Sequence, residues 1–442
     1  MAKHTIEELY QWQALPLNVK IRMTQERIRE WVREYGIDGV YVSFSGGKDS
    51  TVLLHIARKM YPQMKAVFVD TGLEYPEIRE FVKSFDNVEW LKPKMNFRQV
   101  IEKYGYPFIS KEVSECVDGA RKYIRMLTDR QTDRQTDRQT DRQTDRQTMP
   151  HCNYMADMLG IDRRINKENP NFQVIKMGNI PNQPARLKKL LGTLEHKEKG
   201  VLTNESSSMY DRSRYKFFLD APFNISSMCC NVMKKQPAHS YSRQTKRKAM
   251  TAQMASESKM RTQKWLQNGC NGFDMKSPIS NLMAFWTEQD VLTYIEVYIQ
   301  PYLAELRYKT KYSHGSKRKK ARKEWAKWNY SRTGMASVYG DIEVDFDAMG
   351  QVDGQIDMSD LSSEFGIFDT GRKLLRTTGC SRTGCMFCGY GAHCRDDDRF
   401  VRMKETHPKQ YDYIMRPTEQ GGLNYKEIID WINEHGNLNI KY

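Results

Sequence analysis

The chain has 442 residues, a formal net charge of +15 and nine cysteines. With 39% hydrophobic residues and no apolar run long enough for a bilayer, it reads as a soluble protein without membrane partners. Its length exceeds what one core usually serves, so two domains, or one enlarged by insertions, are expected. Met1-Ala2-Lys3-His4 lacks the apolar core of a signal peptide, which points to the cytoplasm. There the cysteines suit metal ligation or redox chemistry better than disulfides, and the positive charge favours polyanions such as nucleotides or nucleic acid.

Residues 6–36 carry apolar side chains at helical spacing, with Gly36 placed to end the helix. Val40 to Val42 then reads as a buried strand, Ser45-Gly46-Gly47 as a tight turn, and Asp49 to Met60 as a helix. Strand, glycine turn and helix N-terminus together make an anion site, because the first-turn N–H groups and the helix dipole both favour negative charge. Lys48 adds a cation, and Ser45, Ser50 and Thr51 add hydroxyls. The spacing is not that of a Walker A loop. The run Ser45-Gly46-Gly47-Lys48-Asp49-Ser50 resembles the PP-loop of the N-type ATP pyrophosphatases and the phosphoadenosine phosphosulfate (PAPS) reductase family. That resemblance implies nucleotide contacts from Ser43, Ser45, Gly46, Gly47, Lys48, Asp49 and Ser50, with Lys48 and Asp49 as the catalytic pair.

A second strand, Ala66 to Val69, leads into Asp70-Thr71-Gly72-Leu73-Glu74-Tyr75-Pro76-Glu77, and a third runs from Val88 to Leu91. Strand, helix, strand predicts a right-handed parallel unit, which places Asp70 and Thr71 at a strand's carboxyl end, where ligands of such sheets bind. This stretch also resembles the family's nucleotide-flanking segment; a helix cap is the alternative role for Asp70. A helix is expected from Phe97 to Tyr104, and another opens at Ile109-Ser110-Lys111. The second matches the family, so Lys111 is either a phosphate ligand or a solvated lysine.

Residues 128–147 are five copies of Thr-Asp-Arg-Gln. The unit is neutral and has no apolar face, so the segment is expected to be an exposed insertion, disordered or fraying. The tetranucleotide ACAG, repeated and read in triplets, encodes Thr-Asp-Arg-Gln. We therefore expect a four-base repeat whose slippage shifts the reading frame, making expression phase-variable.

Further resemblances to the family follow. Cys229-Cys230 precedes Lys234-Lys235-Gln236-Pro237, Ser256-Glu257-Ser258 precedes Arg261, and Trp286-Thr287-Glu288-Gln289-Asp290-Val291 leads to Tyr294-Ile295. They imply that Arg261 reaches phosphate, while Trp286, Val291 and Ile295 read as core. Residues 307–332 are strongly basic. Lys317, Arg318, Lys319, Lys320, Arg322 and Lys323 stand near Trp325, a pattern that suits phosphate contacts with base stacking, or equally a solvated basic helix.

Cys380, Cys385, Cys388 and Cys394 fall within fifteen residues. Spacing alone allows a four-cysteine local set holding zinc or iron–sulfur. Resemblance to the adenosine phosphosulfate reductases implies a [4Fe–4S] cluster on Cys229, Cys230, Cys385 and Cys388, with Cys380 and Cys394 as alternative ligands and Zn²⁺ as the alternative metal.

The fold expected is thus α/β, a doubly wound parallel sheet like that of the adenine nucleotide alpha hydrolases, with a cysteine-bearing C-terminal extension. The expected divisions are N-terminal helices at 1–37, the nucleotide domain at 38–300, a basic insertion at 301–335 and the cysteine region at 336–442. The resemblance is to an iron–sulfur-type member of the PAPS reductase family. It implies an enzyme that uses ATP and Mg²⁺ to adenylate an acceptor for sulfur transfer, nucleic acid included, with a sulfur or electron donor protein as partner. The tail from Asp412 lacks the cysteine of the reductases' C-terminal motif, which weighs against the alternative activity, sulfite formation from PAPS. A second alternative is a non-catalytic DNA-binding regulator built on the same domain.

Overall fold

The computed structural model describes residues 3–136, 185–191, 196–198, 201–203, 211–299, 314–317, 319–320, 338–339, 342–344, 374–380, 383–395 and 397–442. These divide into two compact units, Met1–Asn96 with Val232–Met386, and Phe97–Asn231 with Phe387–Tyr442. Among the described residues no helix is long and apolar enough to cross a membrane.

In the first unit, residues 6–36 form two helices, α1 (Ile6–Ala14) and α2 (Leu17–Tyr35). The break falls at Leu15-Pro16, because proline biases the residue before it towards extended backbone. Thr5 starts α1 with a capping box against Glu8. Six strands make one sheet: β1 (Val40–Ser43), β2 (Ala66–Val69), β3 (Val88–Leu91), β4 (Lys248–Thr251), β5 (Asn271–Gly272) and β6 (Ile279–Asn281). Their spatial order is β3-β2-β1-β4-β6-β5, with every pairing parallel except the edge pair β5–β6. The chain therefore winds from β1 outward to β3, then returns to the other side of β1 through β4. That reversal is the doubly wound topology expected from sequence, and its switch point lies beside β1, where ligands of open α/β sheets bind.

Helices flank the sheet: α3 (Lys48–Met60), α4 (Pro76–Lys83), α5 (Gln236–Thr245), α6 (Lys259–Asn268) and α7 (Glu288–Tyr294). Val40, Val42, Val52, Leu53, Leu54, Phe68, Met250 and Phe285 belong to one continuous core. Trp286, Val291 and Ile295, read from sequence as core, are each fully buried in it. The Trp286 indole donates to Thr24 Oγ1 at 2.9 Å, which satisfies its one polar atom. A buried pair, Lys20 Nζ and Asp290 Oδ2 at 2.6 Å, ties α2 to the N-terminus of α7. Asp290 also closes a capping box with Thr287 there. Burying two charges is tolerated because the pair neutralises itself and carries further hydrogen bonds, one from Lys20 Nζ to the Gln13 carbonyl.

In the second unit the helix Phe97–Tyr104 has the predicted bounds, and the helix opened by Ser110-Lys111 runs Lys111–Thr136. Its backbone continues through residues 128–136, the first part of the repeat, where disorder or fraying was expected. A helix already nucleated on an anchored segment extends at small cost per residue even through a sequence with no core face. The rest of the repeat, 137–147, lies outside the described residues. Arg121 organises this unit's loop: its guanidinium donates to the carbonyls of Phe218, Ala221 and Phe223 at 2.7 to 2.8 Å. The C-terminal helix Tyr425–Gly436 buries Tyr425, Ile428, Ile429 and Ile432, and Trp431 packs beside Phe217, Phe218 and Phe223.

Candidate nucleotide site

The turn after β1 is held by its own side chains. Gly46 has φ +73°, and a Cβ there would stand 2.7 Å from Ile78 Cγ2 and 2.8 Å from Val82 Cγ2 of α4. Both conformation and space therefore demand glycine. Ser45 Oγ accepts from Gly47 N at 3.3 Å and meets Ser50 Oγ at 3.0 Å, while Ser45 N donates to Ser50 Oγ at 3.2 Å. The hydroxyls of Ser50 and Thr51 both donate to the Gly47 carbonyl, at 3.0 and 2.9 Å. These bonds fix the loop without help from a ligand and start α3 at Lys48.

Lys48 is 2% exposed. Its ammonium lies 3.1 Å from Glu288 Oε1 of α7 and over the Tyr339 ring, 5.3 Å from the centroid. Its backbone N–H donates to the Tyr339 hydroxyl at 3.5 Å, and that hydroxyl meets Thr383 Oγ1 at 2.5 Å. Burial pushes the Tyr339 phenol up to about 12, with the Asp49 carboxylate adding in the same direction, so it stays a neutral hydroxyl. On the loop's near side the hydroxyls of Tyr339 and Thr383 each lie 3.2 Å from where a Cβ on Gly47 would stand.

At the end of β2, Asp70 is buried; its Oδ1 accepts from Gly72 N at 3.2 Å and its Oδ2 pairs with Arg79 at 2.8 Å. Asp70 therefore braces the 70–73 turn and not a helix terminus. Thr71 gives both its N–H and its hydroxyl to Glu74, at 3.0 and 2.8 Å. The carbonyl that ends this turn, Leu73 O, accepts from Met386 N at 2.8 Å.

The first unit thus gathers Ser43, Ser45, Gly46, Gly47, Lys48, Asp49 and Ser50 on one strand–turn–helix, and puts Asp70 and Thr71 at the end of the adjacent strand β2. Arg261, expected to reach phosphate, pairs in this structure with Glu257 one helical turn back. Lys111 is exposed at the start of a second-unit helix. Of the basic run, Lys317, Lys319 and Lys320 are exposed, and Arg318, Arg322, Lys323 and Trp325 lie outside the described residues. Glu288, Tyr339 and Thr383 were given no role at the loop by the sequence reading. Glu288, inside the family-like Trp-Thr-Glu run, carried a signal that could have singled it out.

Cys380 and Cys385 belong to the first unit, and Cys229, Cys230, Cys388 and Cys394 to the second. In the second unit a short parallel pair joins Phe108–Ile109 to Gly389–Tyr390, and the Tyr390 hydroxyl donates to Ser226 O at 2.9 Å. Burial raises the Tyr390 phenol, with charge on Cys229, Cys230 and Cys388 acting in the same direction and a hydrogen bond with Ser114 acting against it. Arg399 clamps the same segment, bonding Asp397 through Nε at 2.8 Å and the Cys388 carbonyl through Nη1 at 2.8 Å. Among the described residues no three His, Cys, Asp or Glu side chains stand in a metal-binding arrangement.

Residues 39–161 match the family model described as the phosphoadenosine phosphosulfate reductase domain. An uncharacterized protein of Methanocaldococcus jannaschii is 42% identical over 73 residues, which is 15% of this chain. The chain spans only 18% of that protein's length in the match.

Proposed function

We propose that the chain, whose residues 39–161 match the PAPS reductase domain of the PP-loop superfamily, uses ATP to activate an acceptor for sulfur transfer. One observation carries the reading: a preformed glycine turn, Ser45 to Gly47, delivers a buried Lys48 and the N-terminus of α3 at the switch point of a parallel sheet. The first-turn N–H groups and Lys48 bind the β- and γ-phosphates, and Asp49 stands beside them as a relay to the cation. An acceptor oxygen attacks the α-phosphate, the bond to the β-phosphate breaks and pyrophosphate leaves. A sulfur nucleophile then displaces AMP from the activated carbon. Positioning and charge stabilisation do the catalytic work. Bound Mg²⁺ would offset phosphate charge.

The family pattern points to Cys229, Cys230, Cys385 and Cys388 for an iron–sulfur group, and their thiolates are soft ligands of the kind such a group takes. Such a group would supply electron or sulfur transfer. Nucleic acid is the acceptor we favour, on the strength of the basic run around Lys317, Lys319 and Lys320. The Thr-Asp-Arg-Gln repeat supports frame-shifting control of expression, and its codons test it: a mixed-codon repeat sinks the idea.

Release of pyrophosphate from ATP, dependent on Lys48, is the deciding assay. Loss in Lys48→Ala is expected. Sulfite from PAPS with a thiol donor, and no pyrophosphate from ATP, would instead establish the reductase. Iron and sulfide analysis after anaerobic purification tests the ligands. Cys229→Ser should lose iron and Cys380→Ser retain it, and the reverse pattern selects the local cysteine set.

A further inference from the structure

Two oxygens of the chain itself already occupy the donors of the phosphate loop. The Tyr339 hydroxyl sits on the Lys48 backbone N–H at 3.5 Å, and the Glu288 carboxylate sits on the Lys48 ammonium at 3.1 Å. Neither contact is of a kind that resists exchange. The first is as long as a hydrogen bond runs, and the second joins a buried cation to a carboxylate whose side chain is 43% exposed. Tyr339 is nevertheless aimed, because Thr383 Oγ1 holds the hydroxyl from one side. The backbone beneath Tyr339 is pinned too: its carbonyl accepts from Gly379 N at 2.7 Å, and the Val338 carbonyl accepts from Cys380 N at 2.9 Å. Glu288 lies in the first turn of α7, whose N-terminus is anchored by the Lys20–Asp290 pair. The two oxygens thus come from independently braced segments and converge on one lysine.

We propose that Tyr339 and Glu288 are built-in stand-ins for phosphate oxygens, so that the loop selects a polyphosphate chain, which replaces both at once, over an isolated phosphate, which replaces only one. The inference rests on the nucleotide reading and deepens it by naming what part of the ligand is recognised. An orthophosphate must leave one stand-in in place, and where that is Glu288 it meets like charge. A di- or triphosphate spans both donors and returns both stand-ins to their own segments. The cost of displacing them lowers the apparent affinity of every phosphate ligand in proportion to the closed fraction of the loop.

The test is calorimetric titration of the full-length chain with inorganic pyrophosphate, ATP and orthophosphate, on wild type, Tyr339→Phe and Glu288→Gln. Phenylalanine keeps the ring over Lys48 and removes only the hydroxyl. Glutamine keeps the shape of a half-exposed side chain and removes only the charge, which leaves a second variant if the first does not fold. Wild type should bind pyrophosphate and ATP and discriminate against orthophosphate. Each variant should bind pyrophosphate and ATP more tightly, by about two- to tenfold for one competing hydrogen bond or ion pair removed. Each should also discriminate less against orthophosphate. Weaker or unchanged pyrophosphate binding in both variants, with wild type binding normally, would overturn the stand-in proposal while leaving the nucleotide site intact. Binding of none of the three ligands to any of the proteins would overturn the nucleotide reading, and this proposal with it.

Discussion

The phosphate loop of the first unit and the thiol-bearing segment of the second hold their backbones by different means. In the loop, short side chains bond to backbone groups a few residues away: Ser45, Ser50 and Thr51 close on Gly47 within one turn. The thiol segment depends on long side chains that reach across the unit, with Tyr390 bonded to Ser226 and Tyr425 bonded to the Phe387 carbonyl at 2.6 Å. The difference teaches where each can fail. A locally bonded loop keeps its shape when its ligand is absent and is damaged mainly by changes within itself. A segment held by distant partners loses its shape when any one of them is removed, without a change in the segment's own residues.

The largest effect should come from Gly46→Val. It adds a side chain at a positive φ and drives it into Ile78 and Val82, which should cost about 3 kcal/mol or more in urea unfolding and abolish ATP binding. ATP binding within twofold of wild type would show that the turn is more plastic than its contacts indicate.

Next in size is a pH effect on the helix that carries the loop. His55 of α3 is buried against Tyr294, Nδ1 to hydroxyl at 2.9 Å, and burial drives its proton affinity down to about 3. The unfolded chain takes up this proton near pH 6.5, so between those values the unfolded state binds more protons than the folded one. The neutral imidazole's contribution is complete above pH 6.5 and is lost as pH falls towards 3, by an amount on the order of 2 kcal/mol or more. His55→Asn should flatten the pH dependence of urea stability across that range; an unchanged slope would assign the acid sensitivity to other groups.

A smaller effect is expected in the second unit. Arg399→Met removes the guanidinium that bonds the Cys388 carbonyl and Asp397 and should cost about 1–3 kcal/mol. It should also raise the rate at which Cys388 reacts with a thiol reagent, with the phosphate loop's ATP affinity unmoved. Loss of ATP affinity with full thiol protection would contradict the contrast drawn above. Smallest is Ser45→Ala, expected to cost about 1 kcal/mol, because Ser50 and Thr51 continue to bond Gly47. Its signature is a modest drop in melting temperature with the turn retained.

Much of the fold was legible because its signals are local. Strands β2 and β3 fall at the expected residues, and β1 extends one residue further, since short β-branched runs between turn residues have few other uses. The glycine turn was legible for the same reason: its bonds lie within a few residues, so the side chains that make them are neighbours in sequence. Legibility failed where partners are remote. Tyr339 and Thr383 stand 291 and 336 positions after Lys48 and Gly47, and nothing near them in sequence announces a loop so far upstream.

By itself, then, the sequence determined the strand–turn–helix, because glycine backbone freedom, serine bonding and helix polarity act over distances of one turn. It determined equally that nine thiols and a basic surplus are present to be used. Only tertiary structure decided which oxygens face Lys48 and which carbonyl the Tyr390 hydroxyl bonds. Each of those choices is settled by the closing of long chain loops onto a packed core, and the entropy of such closure depends only weakly on how many residues intervene, so no spacing in the sequence records it.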